Sequence, residues 1–197
     1  MLKTELLNLR LKENNGILKT ADIVQMGISR AFFLEYVKKN NLEKAAHGIY
    51  MEADAWNDGM YLLQTRIPNA IFSHESALYL LDMAEREPMK HTITVKSGYN
   101  RTSLAAEGVQ VYSIKADLLE LGLTTLKSPT GHSLRAYNAE RTICDIIRSR
   151  SNVEMQDYQA AIKTYMGQRK KNIPLLMRYA KDLRVDKILR QYLEVLF

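Results

Sequence analysis

Apolar residues recur at helical spacing in three short segments at the start of the chain. The first segment runs from Thr4 to Glu13, and Asn14-Asn15-Gly16 follows it. Asparagine and glycine tolerate the left-handed backbone that ends a helix, so we expect the first helix to stop there. A second helix is predicted from Thr20, its expected N-cap, to Gly27. A third is predicted from its N-cap Ser29 to about Asn40.

Only about three residues separate the second and third helices, which is the tight joint of a helix-turn-helix. The third helix has one predicted inner face and one outer face, taking about 100° per residue. The inner face holds Ala31, Phe33, Leu34 and Val37, and the outer face holds Phe32, Glu35, Tyr36 and Lys39. The segment from Leu42 to Tyr50 has the turn residue Gly48 before two β-formers, which predicts a hairpin. A helix-turn-helix followed by such a hairpin is a winged helix.

Residues 54–197 contain both strand and helix patterns. Alternating apolar and polar residues predict strands in HTITVK (91–96), GVQVYSI (108–114) and HSLRAY (132–137), and Ile71–Phe72 is a short apolar run. Helices are predicted at about 58–65, 73–83, 117–123, 139–150 (capped by Asn138), 153–167, 173–184 and 185–196. The expected fold class is therefore α/β (α+β). We predict a winged helix-turn-helix DNA-binding domain at 1–53 and a larger mixed α/β domain at 54–197 that ends in helices.

Composition and charge narrow the range of functions. The chain has 197 residues, 46% hydrophobic and 25% charged, as expected for a globular protein with a real core. It has no run of about 18 apolar residues and no signal peptide pattern, so we expect a cytoplasmic protein. The net charge is +6, and the basic excess lies in residues 1–50 and 151–197. Such a distribution favours a polyanionic partner, although a solvated basic surface explains it equally well.

The predicted winged helix supplies the candidate DNA-binding residues. Arg30 is the strongest candidate, because its side chain can donate two hydrogen bonds to guanine from the end of the helix that enters the major groove. Hydroxyl groups at helix N-termini can meet phosphates, aromatic rings can lie against thymine methyls, and basic residues of the wing can reach the flanking backbone. The full candidate set is Thr20, Ser29, Arg30, Phe32, Tyr36, Lys38, Lys39, Lys44 and His47. The alternatives are domain packing for the two aromatic residues and simple solubility for the two helix lysines.

A second basic cluster, Arg169-Lys170-Lys171, is predicted between two C-terminal helices. On a helical surface it can face phosphates, RNA or a partner protein, and these alternatives stay open. Tyr158 and Tyr165 are seven residues apart on one helix face, a spacing more typical of a core than of a base-stacking surface.

The sequence offers little for catalysis. His74 and Ser76 are too close on a helix to face each other, so a nucleophile–base pair is not expected, and Ser73 or His74 is the predicted cap. An i,i+4 ion pair explains Arg141 and Asp145 without chemistry. Cys144 is flanked by apolar residues and is expected to be buried. The four histidines lack metal-ligand spacing, and no phosphate-binding loop pattern occurs. We therefore expect no enzyme activity, no metal and no cofactor.

The predicted winged helix contains GISR followed by LEKAAHGIYM. This motif resembles the winged helix of the AbiEi antitoxins, a family of proteins from bacterial abortive-infection systems. FSHESALYLLDM (72–83) resembles its His-x-Ser/Thr-Ala-Leu helix, and AERTICDIIR (139–148) resembles its Glu-Arg-Thr-x-x-Asp helix. The three motifs occur in the family's order and span most of the chain. One departure is KKNN, which stands where the family often has a basic residue followed by glycine.

The resemblance implies an antitoxin of a type IV toxin–antitoxin system. Such a protein would repress its own operon by binding inverted repeats in the promoter. The residues themselves leave no heptad seam and no large unpaired apolar helix face, so we expect a monomer in solution and two copies on DNA. Its second domain would counter a nucleotidyltransferase-like toxin without a stable complex between the two proteins. Two alternatives remain: a stand-alone transcription factor whose C-terminal domain senses a ligand, and an RNA-directed enzyme that uses the basic C-terminal surface.

Overall fold

Two sheets and eleven helices make up residues 2–56, 58–100, 102–153 and 155–196, the part of the chain that the computed structural model describes. The first part contains α1 (Lys3–Glu13), β1 (Ile17–Lys19), α2 (Thr20–Gln25), α3 (Arg30–Lys39), β2 (Glu43–Ala46), β3 (Ile49–Met51) and α4 (Gly59–Arg66). The remainder contains β4 (Ile71–Phe72), α5 (His74–Leu80), β5 (Thr92–Lys96), α6 (Thr102–Ala106), β6 (Gln110–Ile114), α7 (Ala116–Leu119), β7 (Leu123–Lys127), β8 (Ser133–Tyr137), α8 (Ala139–Arg148), α9 (Met155–Gly167), α10 (Ile173–Asp182) and α11 (Asp186–Leu196). The predicted mixed α/β fold class is confirmed.

The chain divides into two compact units. Unit 1 comprises Met1–Pro68 and Ser128–His132, and unit 2 comprises Asn69–Lys127 and Ser133–Phe197. The predicted boundary at residue 53 is therefore wrong on two counts, because unit 1 also includes α4 and a segment from the middle of the chain.

Side chains around Asp58 explain why unit 1 extends so far. The Asp58 carboxylate caps α4 by accepting a hydrogen bond from the Tyr61 backbone N–H (2.9 Å), and it accepts further bonds from the Ser128 hydroxyl (2.6 Å) and from Thr130. The His132 Nδ1 lies 2.9 Å from the same carboxylate, and the His132 ring stacks on Tyr61 with 3.8 Å between centroids. Burial raises the pKa of Asp58, but these hydrogen bonds outweigh it and hold the pKa below its usual value. These contacts join Asp58 to residues about 70 positions further along the chain, so no local sequence pattern predicts them.

Unit 1 is built on α1, α2, α3 and a three-stranded antiparallel sheet with the order β1-β3-β2. The turn after α1 forms as predicted, with positive φ angles at Asn15 and Gly16. A Cβ on Gly16 would lie 2.9 Å from the Cβ of Ala55, which cannot swing away, so space as well as the positive φ favours glycine there. β1 was not predicted, because three residues are too short to show an alternating pattern.

Unit 2 places a five-stranded mixed sheet, with the order β6-β5-β4-β8-β7, beside a helical core. α8 is the central helix, since every residue from Glu140 to Ile147 is buried. Its predicted cap is confirmed: the Asn138 side chain accepts a hydrogen bond from the Arg141 backbone N–H. The predicted helix at 117–123 is wrong in its second half, where Gly122 (φ +76°) turns the chain into the unpredicted strand β7.

Candidate nucleic-acid interface

The N-terminus of α3 forms as the sequence predicts. Ser29 is the N-cap, and its hydroxyl accepts a hydrogen bond from the Phe32 backbone N–H at 3.3 Å. Beyond the cap, Arg30, Glu35, Lys38 and Lys39 are exposed. The exposed surface of this helix thus carries three basic side chains and one acidic side chain, and Ser29 itself is exposed at its end.

Tyr36, however, is not on the exposed face, and its prediction as a DNA contact is wrong. It is only 4% exposed and packs in the core of unit 1 with Phe33 and Val37. Its hydroxyl donates a 2.6 Å hydrogen bond to the Asn8 side chain of α1. The i, i+3, i+4 spacing of these three residues forms the buried stripe. The predicted inner residues Ala31 and Leu34 are exposed instead.

Replacing Tyr36 with phenylalanine tests this placement. Because only the hydrogen bond to Asn8 is lost, we expect the free energy of unfolding to fall by about 1 kcal/mol. Urea unfolding followed by circular dichroism measures the loss. DNA affinity should be unchanged if the protein binds DNA. A weakened affinity in a variant of unchanged stability would contradict the buried position.

Phe32 is half-buried and packs against the same core, with the Lys3 ammonium 5.7 Å from its ring centroid. Because the ring is partly buried, only part of it is open to a DNA contact. Thr20 is half-buried as well, and its backbone N–H donates to the Gly48 carbonyl at 2.8 Å. Because this N–H already donates to Gly48, it is not available to a phosphate. The predicted cap is also wrong, since Lys19 rather than Thr20 is the N-cap of α2.

The hairpin of β2 and β3 presents the two predicted wing residues to solvent. Lys44 and His47 are both exposed, and Gly48 adopts a positive φ of +72° in the turn. The register shifts between Lys44 and Ala46, an irregularity that increases local twist. The predicted turn at Gly48 is confirmed.

One basic side chain of unit 1 is already engaged. The Lys19 ammonium lies 4.3 Å from the Tyr61 ring centroid in a cation–π contact. Burial lowers the pKa of Lys19, although the nearby Asp22 carboxylate opposes the shift. Lys19 therefore stabilises unit 1 and is a weaker candidate for phosphate contacts than Lys38, Lys39 or Lys44.

The second predicted basic cluster lies in unit 2, in the turn between α9 and α10. Arg169 and Lys170 are exposed, while Lys171 is half-buried and donates to the Gln168 carbonyl at 3.3 Å. Tyr158 and Tyr165, the predicted core residues near it, are buried.

Unit 2 also contains buried polar groups. The His74 ring lies 3.0 Å from the hydroxyls of both Ser73 and Ser149, and it stacks on Tyr112. Ser76 instead bonds to Thr92, so His74 and Ser76 are not partners, as the sequence predicts. The predicted capping role is wrong in detail: Ser73 holds the N-cap position, but its side chain makes no capping bond.

The predicted ion pair within α8 is confirmed and is fully buried. The Arg141 Nε donates to the Asp145 carboxylate at 2.9 Å. Cys144 is buried as predicted, and burial raises the pKa of its thiol to about 12, so the thiol stays protonated at neutral pH.

Within the described part of the chain, no cluster of His, Cys, Asp or Glu has the arrangement of a metal site. No helix in that part is long and apolar enough to span a membrane.

Comparisons with known proteins concern the fold alone. No family model and no curated protein matches the chain. Among solved structures, the crystal structure of the RV2827C protein from Mycobacterium tuberculosis is similar, with a TM-score of 0.59 and 13% sequence identity. The match covers 89% of this chain and 70% of that one. It supports the mixed α/β architecture.

Proposed function

We propose that unit 1 is a winged helix that binds double-stranded DNA. The observation that carries this proposal is the order α1-β1-α2-α3-β2-β3 with a three-stranded antiparallel sheet, which is the order of winged-helix modules. In such modules the N-terminus of the second helix of the motif enters the major groove and the hairpin contacts the flanking backbone. Here these positions hold the exposed Ser29, Arg30, Lys44 and His47.

We further propose that the protein is the antitoxin and autorepressor of a type IV toxin–antitoxin operon. This part rests on the resemblance of three sequence motifs to the AbiEi family. In this proposal, unit 1 binds inverted repeats in the promoter of its own operon, with one copy on each repeat. Unit 2 counters a nucleotidyltransferase-like toxin encoded beside it, without a stable complex. A stand-alone transcription factor with a ligand-sensing unit 2 is the second candidate, and the cleft described below favours it.

Replacing Arg30 with alanine is the central test. Loss of a bidentate contact to guanine costs about 1–3 kcal/mol, which corresponds to roughly 5- to 150-fold weaker binding. We expect this loss in gel-shift titrations of the full chain on the DNA immediately upstream of the gene. Arg10→Ala is the matched control, because it removes the same charge from an exposed side chain that pairs with Glu13 on α1.

The same two variants test whether DNA binding and antitoxic activity lie in different units. If unit 2 carries the antitoxic activity, cells that express the neighbouring toxin gene should survive equally well with Arg30→Ala and with the unaltered protein. Equal loss of DNA binding and protection in a folded Arg30→Ala variant would refute the separation. Equal weakening of DNA binding by Arg10→Ala would show that only net charge matters and would refute the assigned interface.

A further inference from the structure

A cleft of about 500 Å³ opens in unit 2 where two parallel strands end. β5 and β6 are parallel neighbours whose last paired residues are Lys96 and Ile114. The next residues along the chain, Ser97 and Lys115, line the cleft. Ligands of open α/β sheets commonly bind at the carboxyl ends of parallel strands. The volume falls within the range of small-molecule sites, about 300–1,000 Å³.

Three cationic side chains from separate elements converge on this cleft. Lys115 follows β6, Arg148 lies in the last turn of α8, and Arg184 follows α10. All three residues are exposed to solvent. Among the residues that the structure describes, none of the three has a carboxylate within the 4.0 Å ion-pair distance. Three cations that outnumber the carboxylates of the lining, and that form no direct ion pair among the described residues, favour a ligand with negative charge.

The rest of the lining suits a phosphate group on a small organic molecule. Ser97 and Ser113 place hydroxyl donors in the cleft, and guanidinium groups such as Arg148 and Arg184 bind phosphate oxygens through paired hydrogen bonds. Ile114, Leu118 and Leu183 add apolar surface against which carbon atoms of a ligand can pack. A bare inorganic anion would leave this apolar part unused.

Two carboxylates complete the lining and narrow the class of ligand further. Asp117 and Asp182 face the same cleft as the three cations. Carboxylates repel a second phosphate but accept hydrogen bonds from sugar hydroxyls, as they do in nucleotide-binding folds. We infer that this cleft binds a small sugar phosphate, the class that includes ribonucleoside monophosphates. The inference is independent of DNA binding by unit 1.

Calorimetric titration of the full chain with three probes tests this assignment. Ribose 5-phosphate and AMP should bind, and adenosine, which lacks the phosphate, should not. The double variant Arg148→Gln with Arg184→Gln should bind both phosphorylated probes at least about tenfold more weakly, because each hydrogen bond between a guanidinium and a phosphate adds to the binding free energy. The matched control is the double variant Arg150→Gln with Arg190→Gln. It removes the same charge from unit 2, but these two exposed arginines do not line the cleft. Thermal unfolding of both variants checks that they fold.

Each outcome decides the assignment. Binding of ribose 5-phosphate that only the cleft variant weakens supports it, and AMP binding more tightly than ribose 5-phosphate would identify a nucleotide as the ligand. Absence of binding for both probes at millimolar concentration overturns it. Equal weakening by the two double variants overturns it as well, because the effect would then come from net charge. Inorganic phosphate that binds as tightly as ribose 5-phosphate would reduce the cleft to a simple anion site and would also overturn it.

Discussion

Replacing Arg141 with methionine is expected to lower the free energy of unfolding by about 3–5 kcal/mol, the cost of breaking a buried ion pair from one side. Arg141 is fully buried, and its Nε donates to Asp145 while its Nη1 donates to the carbonyls of Leu118 (2.8 Å) and Leu121 (2.7 Å). Its guanidinium also lies 4.1 Å from the Tyr137 ring centroid. Methionine leaves the Asp145 charge and two carbonyl groups without these partners.

Urea unfolding followed by circular dichroism measures this effect, with Arg150→Met as the control. Arg150 is exposed, and a substitution there should change stability by about 0.5 kcal/mol or less. The double variant Arg141→Met with Asp145→Leu should recover part of the loss, because an apolar pair removes the uncompensated carboxylate. A loss of less than about 1 kcal/mol in the single variant would contradict the buried position of the pair.

The second large effect is a dependence of stability on pH that comes from His74. Burial lowers the pKa of His74 from 6.5 to about 4, although the Asp145 carboxylate opposes the shift, and Arg148 and Arg141 add to it. Above pH 6.5, His74 is neutral in both the folded and the unfolded protein. Between pH 6.5 and about 4 the unfolded chain binds a proton that the folded protein excludes, so the free energy of unfolding falls as the pH falls. The full contribution is about 3 kcal/mol.

Replacing His74 with asparagine isolates this contribution. Asparagine does not titrate, and it tolerates the positive φ (+48°) that His74 adopts at the start of α5. We expect the variant to be less stable than the natural chain at pH 7, because it loses the stacking on Tyr112. We also expect the difference between the two proteins to shrink as the pH is lowered from 7 to 4. A difference in the free energy of unfolding that stays constant between pH 7 and 4 would contradict this prediction. It would show that the folded protein does not suppress protonation of His74.

The two predictions draw on different kinds of information in the sequence. The Arg141–Asp145 pair follows from i,i+4 spacing on a helix, and the sequence alone predicts it. Its burial, which makes it costly to break, depends on α8 being enclosed on all sides in unit 2. The contact of His74 with Ser149 joins residues 75 positions apart and has no local signal at all.

Local signals predicted the starts of α3 and α8 correctly, but they did not predict the caps of α2 and α5 or the exposed face of α3. Ser29 and Asn138 cap their helices as predicted, because capping depends on residues within one turn. Tyr36 was misplaced because a tyrosine can be buried when its hydroxyl finds a partner, and that partner, Asn8, belongs to another helix. The cleft in unit 2 was missed because its cations come from three separate elements.

By itself, the sequence determined the mixed α/β class, most of the helices and strands, and the caps of α3 and α8. These depend on hydrophobic periodicity and on hydrogen bonds between near neighbours. Only the tertiary structure decided which face of α3 is exposed, how far unit 1 extends, and where the basic side chains of unit 2 converge. Those features depend on contacts such as Asp58 with His132, in which side chains 74 positions apart satisfy each other, and no local pattern encodes them.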